Sequence, residues 1–305
     1  MCFHSVPNES LVGKAKFLRF VIWSFDYNWR IGGVVVLHKL AELLAESGFE
    51  TYCVASLTSA QNKSTLISRD DAAIIAREKE TIVIYPENVV GNPLDARSVA
   101  RWVLYFPGWH GGDKEYSENE FVFTFNPSFV KETKYAAALK VRIIESMSQS
   151  FFDKNQVRTR DAILVKKGEE DIDERFRQFV APHLGNLYEM ISVDSLIRSC
   201  ESLESFNSAL NEIRYFISFD SFTYHSTFAA LAGCASIAVP FVGVSRDEYF
   251  AANPSRKSGI AYGFEDLKHQ RESVGQLRAN ISNYDSANWE AVTSLIHGLT
   301  DYFGL

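Results

Sequence analysis

The chain has 305 residues, 46% of them hydrophobic and 23% charged, with a formal net charge of −7 at pH 7. The length predicts two domains, and the acid excess argues against a binder of nucleic-acid backbone, which normally carries a basic stripe. Four scattered cysteines (Cys2, Cys53, Cys200, Cys234), with no Cys-x-x-Cys pair and no metal-ligand spacing, predict a reducing compartment and small buried thiols at Cys53 and Cys234.

No signal peptide is expected from the first residues, and no run approaches the roughly 18 apolar residues that span a bilayer. A cytoplasmic protein is therefore expected. In chain order, KFLRFVIWSF (16–25) predicts a buried first strand. The turn DYNWRIGG follows, and then Val35, Leu37, Leu40, Leu43 and Leu44 recur at helical spacing until Gly48 stops the helix. FETYCVAS (49–56) predicts a second strand, RDDAAIIAREKE (69–80) a short helix and TIVIYPE (81–87) a third strand. This βαβαβ alternation predicts a mostly parallel sheet with helices on both faces. PLDARSVARWVLYFPG reads as a helix starting near Asp95, EFVFTF (120–125) as a strand, and KVRIIES (140–146) as a closing strand. The polar, aperiodic stretch 147–160 predicts the boundary between a domain of residues 1–150 and one of residues 151–305.

The second half repeats the alternation. AILVKKG (162–168) and residues 214–219 and 235–239 read as strands. DIDERFRQFVAPH, ESFNSALNEI, TYHSTFAALAG and two amphipathic segments at the end read as helices. Two such halves predict a cleft between them, with ligands at the carboxyl ends of the strands. The stretch YFISFDSFTYHSTFAALAGCASIAVP (215–240) carries the densest polar cluster. Asp220 ends a strand, and Ser221, Thr223, Ser226 and Thr227 lead into a helix start, where unpaired N–H groups and hydroxyls suit a phosphate. A plain helix cap is the competing reading.

Three stretches resemble GT-B glycosyltransferases of the bacterial surface-polysaccharide type: residues 31–54, 82–108 and 216–240. The resemblance implies an α/β fold of two Rossmann-like domains facing a central cleft, the first on the acceptor side and the second holding a nucleotide-sugar donor. It implies a hexosyltransferase reaction with a saccharide or lipid-linked acceptor, no cofactor and no required metal, no nucleic acid, and room for a peripheral membrane contact. Lys166 and Lys167 would face the donor diphosphate, whose charge develops as it leaves. Asp220, Ser221, Thr223 and Ser226 would complete the donor site. Gly32 and Gly33 would let the first loop approach donor or acceptor, while Glu87, Asn88 and Asn92 would hydrogen-bond sugar hydroxyls. Asn92-Pro93 is also a turn signal.

An inverting transferase needs a base for the acceptor hydroxyl. Asp26, directly after the first strand, and His110, on a glycine-rich loop beside Trp109, are the leading candidates; Glu87 also qualifies, and His38 reads as structural. The glutamate pair seven residues apart found in many retaining members is absent around 220–228, so the stereochemical outcome stays open. Asp171-Ile-Asp173 resembles a metal motif but opens a helix, where acids favour the dipole. No G-x-G-x-x-G, G-x-S-x-G or Walker A sequence occurs, which argues against the usual NAD enzymes, hydrolases and P-loop NTPases. Two alternatives remain: a nucleotide-sugar epimerase on the same fold, and a catalytically silent nucleotide- or sugar-binding subunit.

Overall fold

The computed structural model describes residues 18–58, 64–144, 146–165, 171–186, 189–220 and 223–305. Of the nominated residues, Lys166, Lys167 and Ser221 lie outside them. The chain divides into two α/β units, Met1–Glu145 with Asp285–Leu305, and Ser146–Tyr284.

The first unit runs β1 (Arg19–Trp23), α1 (Gly32–Glu46), β2 (Glu50–Val54), β3 (Thr65–Leu66), α2 (Arg69–Ile75), β4 (Thr81–Pro86), β5 (Ser98–Val103), β6 (Phe121–Thr124) and β7 (Leu139–Lys140). These strands form one sheet in the order β3-β2-β1-β4-β5-β6-β7. Every pairing is parallel, as in a Rossmann-like fold. Helices cover both faces, so β4 and β5 are buried at every position, which is why β4 reads as a nearly continuous apolar run rather than an alternating one. On one face α1 packs Val36, Leu37, Leu40 and Leu44 against Phe20, Ile22, Trp102 and Phe123. On the other, Ala72 and Ala76 cover Val21, Val83 and Tyr85.

Three expectations change here. The helix expected from Asp95 is a turn followed by β5. Asp95 takes a left-handed φ of 50°, and the Asn92 side chain closes the turn, accepting from the Ala96 N–H at 2.9 Å and donating to the Ala96 carbonyl at 2.9 Å. The β-favouring Val99, Trp102 and Val103 then pair with strands on both sides, which outweighs the local helical spacing. The closing strand at 140–146 shortens to Leu139–Lys140, the pair that meets β6.

The last helix, α9 (Tyr284–Phe303), packs with the first unit rather than ending the second. Val292, Leu295 and Leu299 enter the core beneath α1, and the Asn288 amide bonds both N–H and C=O of Ile144, at 2.7 and 2.6 Å. Gly298 permits the approach of Phe121, whose ring would lie 2.9 Å from an added Cβ. Chain order alone had assigned this segment to the second domain.

The second unit runs β8 (Arg160–Leu164), α3 (Ile172–Arg175, continued by a wider turn to Val180), β9 (Glu189–Ser192), α4 (Val193–Ser199), α5 (Leu203–Leu210), β10 (Ile213–Ser218), α6 (His225–Leu231), β11 (Ala235–Ala238), α7 (Arg246–Ala252), β12 (Ala261–Tyr262) and α8 (Leu267–Ser282). Its sheet, again wholly parallel, has the order β12-β11-β10-β8-β9. Its core gathers Ile217, Phe219, Ile237, Val239 and Ala261 around Val180. The sequence reading omits β9, α4, α7 and β12. Ser245 and Glu248 nevertheless announce α7, because they form a reciprocal capping box. Cys53, Cys200 and Cys234 are buried thiols outside any disulfide.

Candidate functional site

Each sheet has one point where successive connections leave in opposite directions, and ligands of open α/β sheets collect there, beyond the carboxyl ends of the strands. In the first sheet the chain goes from β1 to β2 and β3 on one side and returns to β4 on the other. In the second it goes from β8 to β9 and returns to β10. Several of the nominated residues lie on the loops at these points, and His110 lies on the loop after β5. Asp26, Gly32 and Gly33 follow β1, and Glu87, Asn88 and Asn92 follow β4; Asp220 and Thr223 follow β10.

At the first edge, Asp26 is exposed but held: its Oδ1 accepts from the Ser56 N–H at 2.7 Å and the Leu57 N–H at 3.0 Å. The tie joins the loop after β1 to the end of β2 and fixes the carboxylate's direction. Behind it, the buried His38 ring has Nε2 2.8 Å from the Phe25 carbonyl and Nδ1 3.0 Å from the Thr58 hydroxyl. The carbonyl can only accept, so Nε2 carries the proton and Nδ1 accepts from Thr58. Burial lowers this imidazole's pKa, against the pull of the Phe25 carbonyl and Asp26. Both ring nitrogens of His38 are thus engaged by neighbouring groups. Helix α1 begins at Gly32 without a side-chain cap or an acid in its first turn.

Glu87 is buried at the end of β4, and its Oε2 accepts from the Leu104 N–H at 3.0 Å. Burial pushes its carboxyl up to about 7, although the backbone N–H groups and the nearby Arg101 charge favour ionisation. Leu104 also touches the start of α1, 3.7 Å from where a Cβ on Gly33 would stand. Gly33, Glu87 and the end of β5 therefore share one neighbourhood. Gly112, at φ 78°, lies with its backbone against Glu87 and Asn88. His110 is exposed on the same loop, 5.3 Å from the Tyr105 ring between centroids. Asn88 keeps a buried Oδ1 with no partner among the described residues. The Asn92 amide, by contrast, is occupied by Ala96 and by the Tyr85 hydroxyl at 3.0 Å.

At the second edge, the Ser218 hydroxyl donates to the Asp220 carbonyl (2.9 Å) and accepts from the Asp220 N–H (3.1 Å), closing the chain on itself as β10 ends. Thr223 is buried, with Oγ1 3.0 Å from His225 Nδ1 and accepting the His225 N–H at 3.3 Å. Helix α6 has no side-chain cap, since Tyr224 stands at its N-cap. Ser226 is fully buried, and its Oγ has no partner among the described residues.

No family model and no curated protein matches the chain. Solved glycosyltransferases resemble it in backbone. They include VinC in complex with DTDP (TM-score 0.42, 10% identity, covering 94% of this chain and 100% of that one). SnogD from Streptomyces nogalater gives a TM-score of 0.37 at 10% identity, covering 92% and 99%. The glycotransferase of kitacinnamycin gives 0.36 at 12% identity, covering 93% and 95%.

Three buried arginines hold these edges and are absent from the sequence reading. Arg101, inside β5, pairs with Glu120 at 3.0 Å and donates to the carbonyls of Val89 (2.9 Å) and Gly91 (2.8 Å), so it ties down the loop that begins at Glu87. Arg175 donates to Val239 (2.8 Å) and Pro240 (3.0 Å) and faces the Phe241 ring, clamping the end of β11. Arg256 donates to the Thr223 carbonyl at 2.9 Å. An arginine inside an apolar run or on a short turn carries no sequence mark of such a role; only the carbonyls it meets reveal it.

Proposed function

We propose that the chain is a GT-B glycosyltransferase that moves a sugar from a nucleoside diphosphate sugar to a hydroxyl of a saccharide or lipid-linked acceptor, as surface-polysaccharide assembly requires. One observation carries the reading: two wholly parallel Rossmann-like sheets in one chain, each with its nominated polar residues at the switch point. The second unit takes the donor. Thr223 and Ser226 serve the diphosphate oxygens, with Lys166 and Lys167 beyond the end of β8, and Asp220 stands aside for a sugar hydroxyl because a carboxylate against a diphosphate is repelled.

The first unit takes the acceptor. Asp26, held through Oδ1, accepts the hydroxyl proton as the acceptor oxygen bonds to the anomeric carbon and the bond to the diphosphate breaks. With Asp26 as base the displacement inverts that carbon. Glu87, Asn88 and the loop bearing His110 line the acceptor side. The reading assigns no metal, because protein cations meet the leaving group's charge. Among the described residues no helix is long and apolar enough to cross a membrane. The reading assigns the reaction to the cytoplasm because nucleotide sugars are made there.

Calorimetry with UDP, GDP, dTDP and CMP compounds tests the reading. One nucleotide should bind in the micromolar range, and its sugar conjugate should release free nucleotide faster when an acceptor is added. Absence of binding by every nucleotide would sink it.

A further inference from the structure

The three buried arginines differ in what they meet. Arg101 has a carboxylate and a set of carbonyls, and Arg175 has carbonyls and aromatic faces. Arg256, only 9% exposed, has one carbonyl, that of Thr223. Its Nη1 is buried with no hydrogen-bond partner among the described residues. A buried cationic N–H left without an acceptor is costly and calls for an anion, an ordered water or a ligand to answer it. Nor does the side chain reach out from a floppy loop. It belongs to the short turn Pro254–Arg256, which follows α7 directly, and Asn253 fastens that junction by donating to the Tyr249 carbonyl at 3.0 Å.

The guanidinium is a rigid plane, so Nη2 on the Thr223 carbonyl places Nη1 beside the same residue. We propose that Arg256 is the anion-binding cation of the β10–α6 edge, donating through Nη1 to phosphate oxygens of a nucleoside diphosphate while Nη2 holds the Thr223 backbone. The assignment rests on reading this edge as the donor site. It also answers a problem of charge: Asp220 stands on the same loop, and a diphosphate arriving there needs a cation close by. A planar fork shared between a backbone carbonyl and a phosphate suits arginine and not lysine.

The test is calorimetry of the full chain with UDP, dTDP, GDP and inorganic pyrophosphate, beside the matching nucleosides. Arg256→Gln should weaken the best nucleoside diphosphate, and pyrophosphate, at least tenfold while nucleoside binding is unchanged. Arg256→Lys should fall between the two. Scanning calorimetry identifies a variant that fails to fold. In that event, the Arg256 side-chain nitrogen resonances of the parent protein should shift as pyrophosphate is added. Parent-like diphosphate affinity in a folded Arg256→Gln or Arg256→Lys, or resonances that stay fixed at saturation, would overturn the assignment. If Thr223→Val and Ser226→Ala weaken the diphosphate and Arg256→Gln does not, the donor site stands and Arg256 is only its backbone clamp. No binding of any diphosphate to the parent would remove both.

Discussion

The Thr223 hydroxyl is 3.0 Å from Nδ1 of His225 and accepts the His225 N–H at 3.3 Å. A hydroxyl has one proton, and Nδ1 takes it whenever the imidazole carries its own proton on Nε2. A phosphate that needs the Thr223 proton must therefore bind the other tautomer. Thr223→Ser should keep parental diphosphate affinity, whereas Thr223→Val should weaken it ten- to a hundredfold, the range for a bond to a charged group. Val also removes the acceptor of the His225 N–H, at about 1 kcal/mol of stability. Lower stability with unchanged affinity would give Thr223 a purely structural role.

His225 predicts a pH dependence. Burial pushes its imidazole down to about 4, against the opposing pull of Asp220 and Asp194. The unfolded chain protonates near 6.5 and the folded one does not, so stability is lost as pH falls from 6.5 towards 4. Over that window the loss from this group is at most roughly 3 kcal/mol. Urea unfolding of His225→Gln should show a shallower decline from pH 7 to 4.5 than the parent. Parallel declines would remove His225 as the cause.

Asp26 separates anchoring from chemistry. Asn keeps a carbonyl oxygen for the Ser56 and Leu57 N–H groups but cannot take a proton. Asp26→Asn should leave the melting temperature within a few degrees and cut transfer by roughly a hundred- to ten-thousandfold. Asp26→Ala should in addition cost about 1–3 kcal/mol, because two N–H groups lose their acceptor. Transfer by Asp26→Asn at the parent's rate would rule out Asp26 as the base.

The residues flanking the switch points were legible because strand ends and turns mark themselves: an apolar run stops, and Asp26, Glu87 or Asp220 follows. The last helix was not. Its apolar stripe says that it packs, and contacts far along the chain, such as Asn288 bonding Ile144 and the Tyr302 hydroxyl donating to the Glu118 carbonyl, say where. Residues 98–103 misled for a related reason. Their spacing suits a helix about as well as a buried strand, and pairing with both β4 and β6 decides the matter. The loop after β5 carries three glycines: an added Cβ would meet the Lys114 side chain at Gly108, backbone at Gly112 and open space at Gly111.

Gly112→Ala is predicted to be damaging for two reasons that act together. Its φ of 78° disfavours any side chain, and an added Cβ would be driven into the Glu87 carbonyl oxygen and stand 2.7 Å from the Asn88 Cα. Neither neighbour is a flexible chain end, so backbone must move. A loss of about 2–4 kcal/mol is expected, with a matching fall in melting temperature. Gly111→Ala meets open space and carries only the cost of φ 85°, so it should be the milder change. Equal effects would mean that the loop yields freely.

Glu87 gives the last prediction, and its sign is opposite to that of a salt-bridged acid. Burial raises its carboxyl from 4.5 to about 7, with the Leu104 N–H and Arg101 opposing. Stability from the protonated form is complete below about 4.5 and is lost as pH rises through 7. Glu87→Gln keeps an oxygen for Leu104 and cannot ionise. At pH 8 it should therefore unfold at higher urea than the parent, by up to roughly 3 kcal/mol, and at pH 4.5 the two should coincide. Should Glu87 bind a sugar hydroxyl as proposed, the same variant should lose acceptor-dependent turnover while gaining stability, the trade found where a strained site is kept for its chemistry. A variant less stable than the parent at both pH values would show that the carboxyl is held there for structure.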